Sequence, residues 1–355
     1  MVKILEKNLL KTFQIAVVFI GTIVGAGLAS GKEITEFFTM FGAKSFICIP
    51  LCGIFYIIIG SILAKIGSEY KLNSYSDAIK KISPNILGKL TGVITTLYLI
   101  SSASIILAGS GAIINQFFGI PKIAGSIIMF ILASIFLLRD TNGLIEINSL
   151  IVPLLLTSIT LIVVLYFIFC KDTVSFQNIA SCEPKKSGVL ISTILYSGYN
   201  ILCCSGVIIP LSNETNNHKI MKRGIILGSI FLTLLCLMIN LLLTVNTPYI
   251  YEYEIPLLFV AHRFGPLIQA ILVMVILLEM FSTEVSDVYS ISKTLVQTFK
   301  IKFKKAIFIV LFTALPISQI GFTNLITTLY PVFGLLSLIF ITQSVIFYFK
   351  NNLSK

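Results

Sequence analysis

Charge is scarce in this chain: 12 % of its 355 residues are Asp, Glu, Lys or Arg, against 56 % hydrophobic residues. With a mean hydropathy of +0.99, that balance excludes a soluble globular domain with an ordinary charged surface. Histidine is scarcer still. His218 and His262 both fall in expected connections, too few for a histidine metal centre or a catalytic triad. Of the seven cysteines, Cys48, Cys52, Cys170, Cys203, Cys204 and Cys236 lie within apolar stretches and only Cys182 in a loop. Their spacing is that of neither a zinc site nor a disulfide framework, although Cys170 and Cys182 bracket one loop and could pair. No hydrolytic or phosphate-cradling motif occurs, so the expectation is a protein that is not an enzyme. No linker, low-complexity tract or soluble domain interrupts the chain. The formal charge of +11 would suit nucleic acid if the basic residues were gathered on one segment, but they punctuate the apolar runs instead.

What is present is a succession of apolar stretches. Crossing roughly 30 Å of hydrocarbon takes about 20 residues, and stretches of that order are found at 12–39, 45–66, 88–117, 121–139, 145–170, 188–211, 221–245, 265–298, 305–321 and 324–349. The chain reads as an all-α polytopic membrane protein with ten transmembrane helices and a single membrane domain over 1–355. With the N-terminus inside, nineteen of the 26 Lys and Arg, from Lys3 and Lys7 to Lys350 and Lys355, fall on cytoplasmic segments. Lys44, Lys122, Lys171, Lys185, Lys186 and Arg263 fall outside, and Lys32 lies within the first span. Such a bias places both termini in the cytoplasm. The start, with basic residues before an apolar run and small residues near Ala29, imitates a secretory leader. The apolar pattern resumes at Ile34, Phe37 and Phe38 and nine further spans follow, which argues for a first span instead.

That first span carries Gly21-Thr22-Ile23-Val24-Gly25-Ala26-Gly27-Leu28-Ala29-Ser30-Gly31 followed directly by Lys32 and Glu33. Four glycines at this depth predict a helix that breaks, and a break is tolerated in a membrane only where protein or a water-filled cavity satisfies the freed backbone. Close helix packing at small residues would also account for the glycines, but not for Lys32 and Glu33. Ten spans divide as five plus five, 12–170 and 188–349, and because five is odd the second half enters the membrane inverted. A matching break is then expected in the sixth span, where Tyr196-Ser197-Gly198-Tyr199-Asn200 and Gly206 weaken an otherwise apolar helix. An ordinary helix with one polar face is the alternative. The segment from Tyr249 to Gly265 reads as a lid, with a short helix after Pro256.

In the eighth span, Glu279, Ser282, Thr283 and Ser286 follow i, i+3, i+4, i+7 and share a face, with Glu284 and Asp287 close by. An ionisable group inside a span is a functional candidate by default, and hydroxyls facing a broken helix offer oxygen ligands to a small cation. Interhelical hydrogen bonding alone is the competing reading. Glu33 is a candidate gate or proton site, unless it pairs with Lys32 or another helix. Tyr98, Ser101, Ser102 and Ser104 could line a pocket from the third span, or simply pack.

The run Gly-Thr-Ile-Val-Gly-Ala-Gly-Leu-Ala-Ser-Gly-Lys-Glu at 21–33, followed by Glu36-Phe37-Phe38, resembles the opening of the YkvI family of bacterial membrane proteins, and the length and ten-span layout agree. That family is similar to the amino acid, polyamine and organocation transporters with the LeuT-like inverted repeat, in which helices 1 and 6 are unwound. The resemblance implies a substrate site of Gly25, Ala26, Gly27, Ser30, Ser102, Tyr196, Ser197, Gly198, Tyr199 and Asn200, with backbone amides at 25–27 meeting a substrate carboxylate. It implies a sodium site of Gly21 and Val24 carbonyls with the hydroxyls of Ser282 and Thr283. Some sodium-independent relatives place a lysine in the fifth span, and none occurs between Leu144 and Cys170, while Glu279 leaves proton coupling open. Many relatives carry two further helices, which leaves the oligomeric state open. The implied activity is alternating-access transport of an amino acid or similar zwitterion or amine, coupled to sodium or protons, in the bacterial cytoplasmic membrane. The alternative is a permease-like sensing subunit of the spore germination receptor type, without net transport. A passive channel or structural membrane protein is a third reading.

Overall fold

The computed structural model describes residues 2–83, 86–139, 144–215 and 217–351; Lys355, counted above among the cytoplasmic cations, lies outside them. The described residues are helical almost throughout. The first apolar stretch forms α1 (Val2–Ile23), α2 (Ala26–Ala29) and α3 (Lys32–Phe37), followed by a 3-10 segment, Thr39–Lys44. Then come α4 (Ser45–Glu69), α5 (Tyr75–Ile82), α6 (Ile86–Phe118), α7 (Lys122–Arg139), α8 (Leu144–Phe169) and α9 (Phe176–Ala180). The second half holds α10 (Val189–Thr215), α11 (His218–Thr244), a 3-10 turn at Tyr249–Glu252, α12 (Pro256–His262), α13 (Pro266–Phe299), α14 (Phe303–Ser318) and α15 (Phe322–Lys350).

Seven of these helices are long and apolar enough to cross a membrane by length and composition, and Asn8–Ile23 and Lys122–Leu138 are shorter apolar helices. Large hydrophobic side chains stay exposed in stripes, as at Ile47, Leu51, Ile54 and Ile58 on α4 and Ile127, Ile128, Ile131 and Ile135 on α7. Those stripes suit hydrocarbon rather than water. Within connections, local chemistry sets the helix starts. Ser74 accepts from the Asp77 amide at 3.0 Å to cap α5, Asn217 caps α11 through the Ile220 amide at 3.2 Å, and Pro256 stands at the first turn of α12. The segment from Tyr249 to Gly265 thus contains the short helix expected after Pro256. Cys170 and Cys182 are both free thiols, so the pairing left open by their spacing is not made.

Packing pairs occur in exchanged couples. α10 packs on α4 as α1 packs on α11, α15 on α10 as α8 on α1, and α14 on α6 as α7 on α13. α6 and α13 lie against each other, as do α4 and α11. The closest approaches run through glycine. A Cβ on Gly334 of α15 would overlap the Leu195 carbonyl oxygen of α10 and stand 2.8 Å from its carbon. A Cβ on Gly228 of α11 would meet the Ala16 carbonyl oxygen of α1 at 3.0 Å. Both interfaces are backbone against backbone.

The first helix is interrupted twice. Gly25 is extended at φ −127°, ψ −168°, and the first backbone bond beyond it runs from the Ala29 amide to Gly25 O at 3.0 Å. Gly31 then turns left-handed at φ 82°, a conformation glycine adopts at no steric cost, and the Ser30 hydroxyl bonds back to Gly27 O at 2.9 Å. The sixth helix departs from expectation: α10 runs unbroken for 27 residues through Gly198, Tyr199, Asn200 and Gly206. Its weak residues are compensated laterally. Gly198 faces α15, where a Cβ would meet the Ser337 hydroxyl at 2.5 Å and Gly334 O at 2.9 Å, and Asn200 donates to the Tyr56 hydroxyl at 2.8 Å. A helix polar on one face and packed on a neighbour accounts for the motif in this conformation.

Candidate functional site

The double break folds α3 back so that Glu33, 2 % exposed, lies over α2. The approach is close enough that a Cβ on Gly27 would come 2.5 Å from its Cγ and 2.7 Å from its Cδ. The Leu28 backbone N–H faces the same carboxylate. Two hydroxyls from distant helices donate to its two oxygens: Tyr196 of α10 to Oε2 at 2.8 Å and Tyr330 of α15 to Oε1 at 2.5 Å. Such short bonds to a carboxylate are charge-assisted and directional.

Aromatic rings close around this centre. Phe37, one turn beyond Glu33, lies 5.3 Å from the Tyr196 ring and 5.9 Å from the Tyr330 ring. Tyr199 stacks on Tyr330 at 3.7 Å, and Tyr98 of α6 meets Tyr199 edge-on at 5.1 Å. Beside them a cavity of about 10 Å³ is bordered by Leu28, Phe38, Cys52, Tyr56 and Tyr196, about the room one water requires. The bundle is closed around the centre in this conformation.

One end of the centre is capped. The Leu257 amide of α12 donates to Ser30 O at 3.0 Å, directly on the second break. Gln116 of α6 clamps Ile255 from both sides, its Nε2 donating to the carbonyl at 3.0 Å and its Oε1 accepting from the amide at 3.1 Å. Lys122 pairs with Glu254. Lys32 turns toward this cap, not toward Glu33, reaching Tyr253 O at 3.2 Å and Glu36 at 3.2 Å. Glu36 also holds Lys186 at 2.7 Å, and the Lys185 and Lys186 amides bond Met40 O at 2.7 and 3.0 Å.

The residues expected at a substrate site meet different fates. Tyr196 bonds Glu33, Tyr199 stacks on Tyr330 beside it, and Gly25, half-buried, has nothing within 4 Å of where a Cβ would stand. Ala26 and Gly27 are buried in α2. Ser30 is spent on the break, Gly198 on the α15 contact, and Ser197 on Cys52 Sγ at 3.0 Å. Ser102 faces Asp287 on α13. Of the expected cation ligands, Val24 is buried, while Gly21 faces α8, where a Cβ would meet Val152 at 3.1 Å. Ser282 is buried, and the Thr283 hydroxyl donates to Glu279 O of its own helix at 3.0 Å. α2 packs against α13, so the broken helix does face the span that carries them.

Tyr330 and Tyr56 were missed as site residues, whereas Glu279 was expected as a coupling residue and Glu284 and Asp287 were noted only as its neighbours. Glu284 is fully buried and neither of its carboxylate oxygens has a hydrogen-bond partner, and one oxygen each of Glu279 and Asp287 is likewise bare. Among the described residues, no Lys or Arg forms an ion pair with Glu33, Glu279, Glu284 or Asp287.

The chain is similar over 328 residues to a Bacillus subtilis (strain 168) protein described as uncharacterized membrane protein YkvI, with 30 % identity covering 92 % of this chain and 93 % of that one. In architecture it matches Mhp1, a nucleobase-cation-symport-1 family transporter, solved in a closed conformation with bromovinylhydantoin bound. The TM-score is 0.67 at 12 % identity over 91 % of this chain and 74 % of that one. It matches MhsT in complex with L-phenylalanine equally well, with a TM-score of 0.67 at 14 % identity over 92 % and 87 % of the two chains. These likenesses establish an all-helical multi-pass membrane protein with the LeuT-like fold. The family model of the spore permeases, described as spore germination protein, matches residues 9–325, and with the near full-length likeness to YkvI it follows that the chain belongs to this spore germination protein family.

Proposed function

We propose that the protein is a secondary transporter, moving a small nitrogen-bearing solute, an amino acid or related zwitterion or amine, by alternating access across the bacterial cytoplasmic membrane. The observation that carries this reading is the Glu33 centre. A buried carboxylate at a helix break, bonded by hydroxyls of α10 and α15 and capped by α12 at Ser30, is more than helix packing requires. Intramembrane ionisable groups mark solute and ion pathways, and discontinuous helices place binding sites near the midplane. The exchanged packing couples support two inverted five-helix repeats, 12–170 and 188–349, and hence ten spans. The Lys and Arg bias supports cytoplasmic termini.

Coupling is to sodium or protons. For sodium, the ligands are the carbonyls of Gly21 and Val24 with the hydroxyls of Ser282 and Thr283 of α13, the helix on which α2, just beyond Val24, packs. For protons, Glu279 and the bare carboxylate of Glu284 are the groups a proton would neutralise, because an unpaired charge at this depth is costly. A second reading, a ligand-sensing receptor subunit without net transport, is favoured by the family's description as spore germination protein.

Reconstituted liposomes separate the readings. With an imposed sodium or proton gradient, a transporter accumulates labelled solute above its outside concentration, whereas a sensor binds it without accumulation. Loss of sodium dependence in Thr283→Ala, with uptake otherwise retained, assigns the cation site. An unchanged sodium response removes it.

A further inference from the structure

The same centre narrows the ligand. We propose that it takes an organic ammonium ion lacking a carboxylate, an amine in preference to the corresponding amino acid, with Glu33 as counter-ion and the rings of Phe37, Tyr196, Tyr199 and Tyr330 as walls. This rests on the reading of the centre as a ligand site.

The argument begins at the break. Backbone amides beyond Gly25 are where a substrate carboxylate would be received, yet the chain's own carboxylate lies over Gly27 with the Leu28 amide facing it. A ligand carboxylate brought to the same amides would meet Glu33 as a like charge within a buried, low-dielectric site, a juxtaposition that costs several kcal/mol. Among the described residues no Lys or Arg pairs with Glu33 to offset it. Lys32, the adjacent residue, is held by Glu36 and Tyr253 O, and Lys186 is held by the second oxygen of Glu36.

The walls favour the same sign. Aromatic faces attract cations through their quadrupole, most strongly where water is excluded, and the rings of Tyr196, Phe37, Tyr330 and Tyr199 follow one another beside Glu33 with successive centroids 3.7 to 5.9 Å apart. A phenol oxygen that donates its proton to Glu33 has acceptor capacity of its own, the chemistry an ammonium N–H requires. Space for the ligand begins at Gly25, beside which a side chain would meet open volume.

Decarboxylated pairs test the proposal on the purified full-length protein: phenethylamine against phenylalanine, putrescine against ornithine, and agmatine against arginine. Thermal stabilisation and titration calorimetry are read for each, in sodium and in potassium. The expected result is that at least one amine binds about tenfold or more tightly than its carboxylate-bearing partner, the ratio that about 1.4 kcal/mol of like-charge repulsion already produces. Glu33→Gln is expected to weaken that amine on the order of 30-fold or more, as loss of one partner of a buried charge pair does. An amino acid that binds while its amine does not overturns the amine proposal and leaves the ligand-site reading standing. Failure of every compound of both kinds overturns both. Should Glu33→Gln not fold, the ranking within the wild-type pairs decides alone.

Discussion

The bond between Tyr330 and Glu33 joins residues 297 positions apart, and its strength is measurable by a double-mutant cycle. Tyr330→Phe removes one hydroxyl and leaves Glu33 Oε1 without its donor in a buried site. An unsatisfied buried acceptor costs about 1–3 kcal/mol, and more when the group is charged. Glu33→Leu leaves two buried phenol hydroxyls, those of Tyr196 and Tyr330, without an acceptor, and costs a similar amount. The double variant should be less damaged than the sum, because removing both partners of a buried bond abolishes the desolvation penalty each one alone incurs. The expected coupling is about 1 kcal/mol or more. Equilibrium unfolding of the purified protein in mixed micelles, followed by far-ultraviolet circular dichroism, supplies the four free energies. Additivity within about 0.5 kcal/mol, the tolerance found for independent sites, would refute the contact. Tyr196→Phe serves as an internal comparison, since its bond to the other oxygen should couple to Glu33 in the same sense.

Two glycines of the break should respond oppositely to enlargement. Gly25→Leu enters open space at an extended φ and should leave melting behaviour nearly unchanged while abolishing ligand binding; Gly27→Ala collides with Glu33 and should lower stability by about 1–3 kcal/mol, as overpacking does. Equal destabilisation by both would show the break to be packed differently. Gly334→Val pushes α15 off the Leu195 backbone of α10 and should cost at least as much, read in the same unfolding assay. Cys182, a partly exposed thiol in the loop before α10, should react in intact cells with a membrane-impermeant maleimide and the reaction should vanish in Cys182→Ser. Labelling only after the membrane is opened would reverse the assigned orientation.

Helix positions were legible because hydropathy alone determines which stretches suit hydrocarbon. The first break was legible as well, since Gly25 and Gly31 stand where Lys32 and Glu33 follow within the same span. The integrity of α10 was not. Gly198 and Asn200 weaken a helix in isolation, but whether it opens depends on Ser337, Gly334 and Tyr56, which no local pattern reveals. The short helix α5 carried its signal in Ser74 and Asp77, with Ala78, Ile79 and Ile82 buried behind them, and a search for spans passes over so brief an amphipathic segment. Tyr330 was invisible for a different reason. A lone tyrosine in an apolar helix acquires meaning only when tertiary packing delivers a carboxylate to it. Glu284 was seen among the polar residues of its span, but its lack of partners is a property of the packed bundle.

Gln116 treats Ile255 as a neighbouring β-strand would, offering one donor and one acceptor to the peptide groups of a single residue. Two positions on, the Leu257 amide is committed to the broken helix, so one short stretch of chain is fastened to two separate bodies. Displacement of the cap releases both fastenings at once or neither. The amide protons of Ile255 and Leu257 should therefore trade with solvent deuterium at a common rate, a clock that counts openings without reference to what passes through.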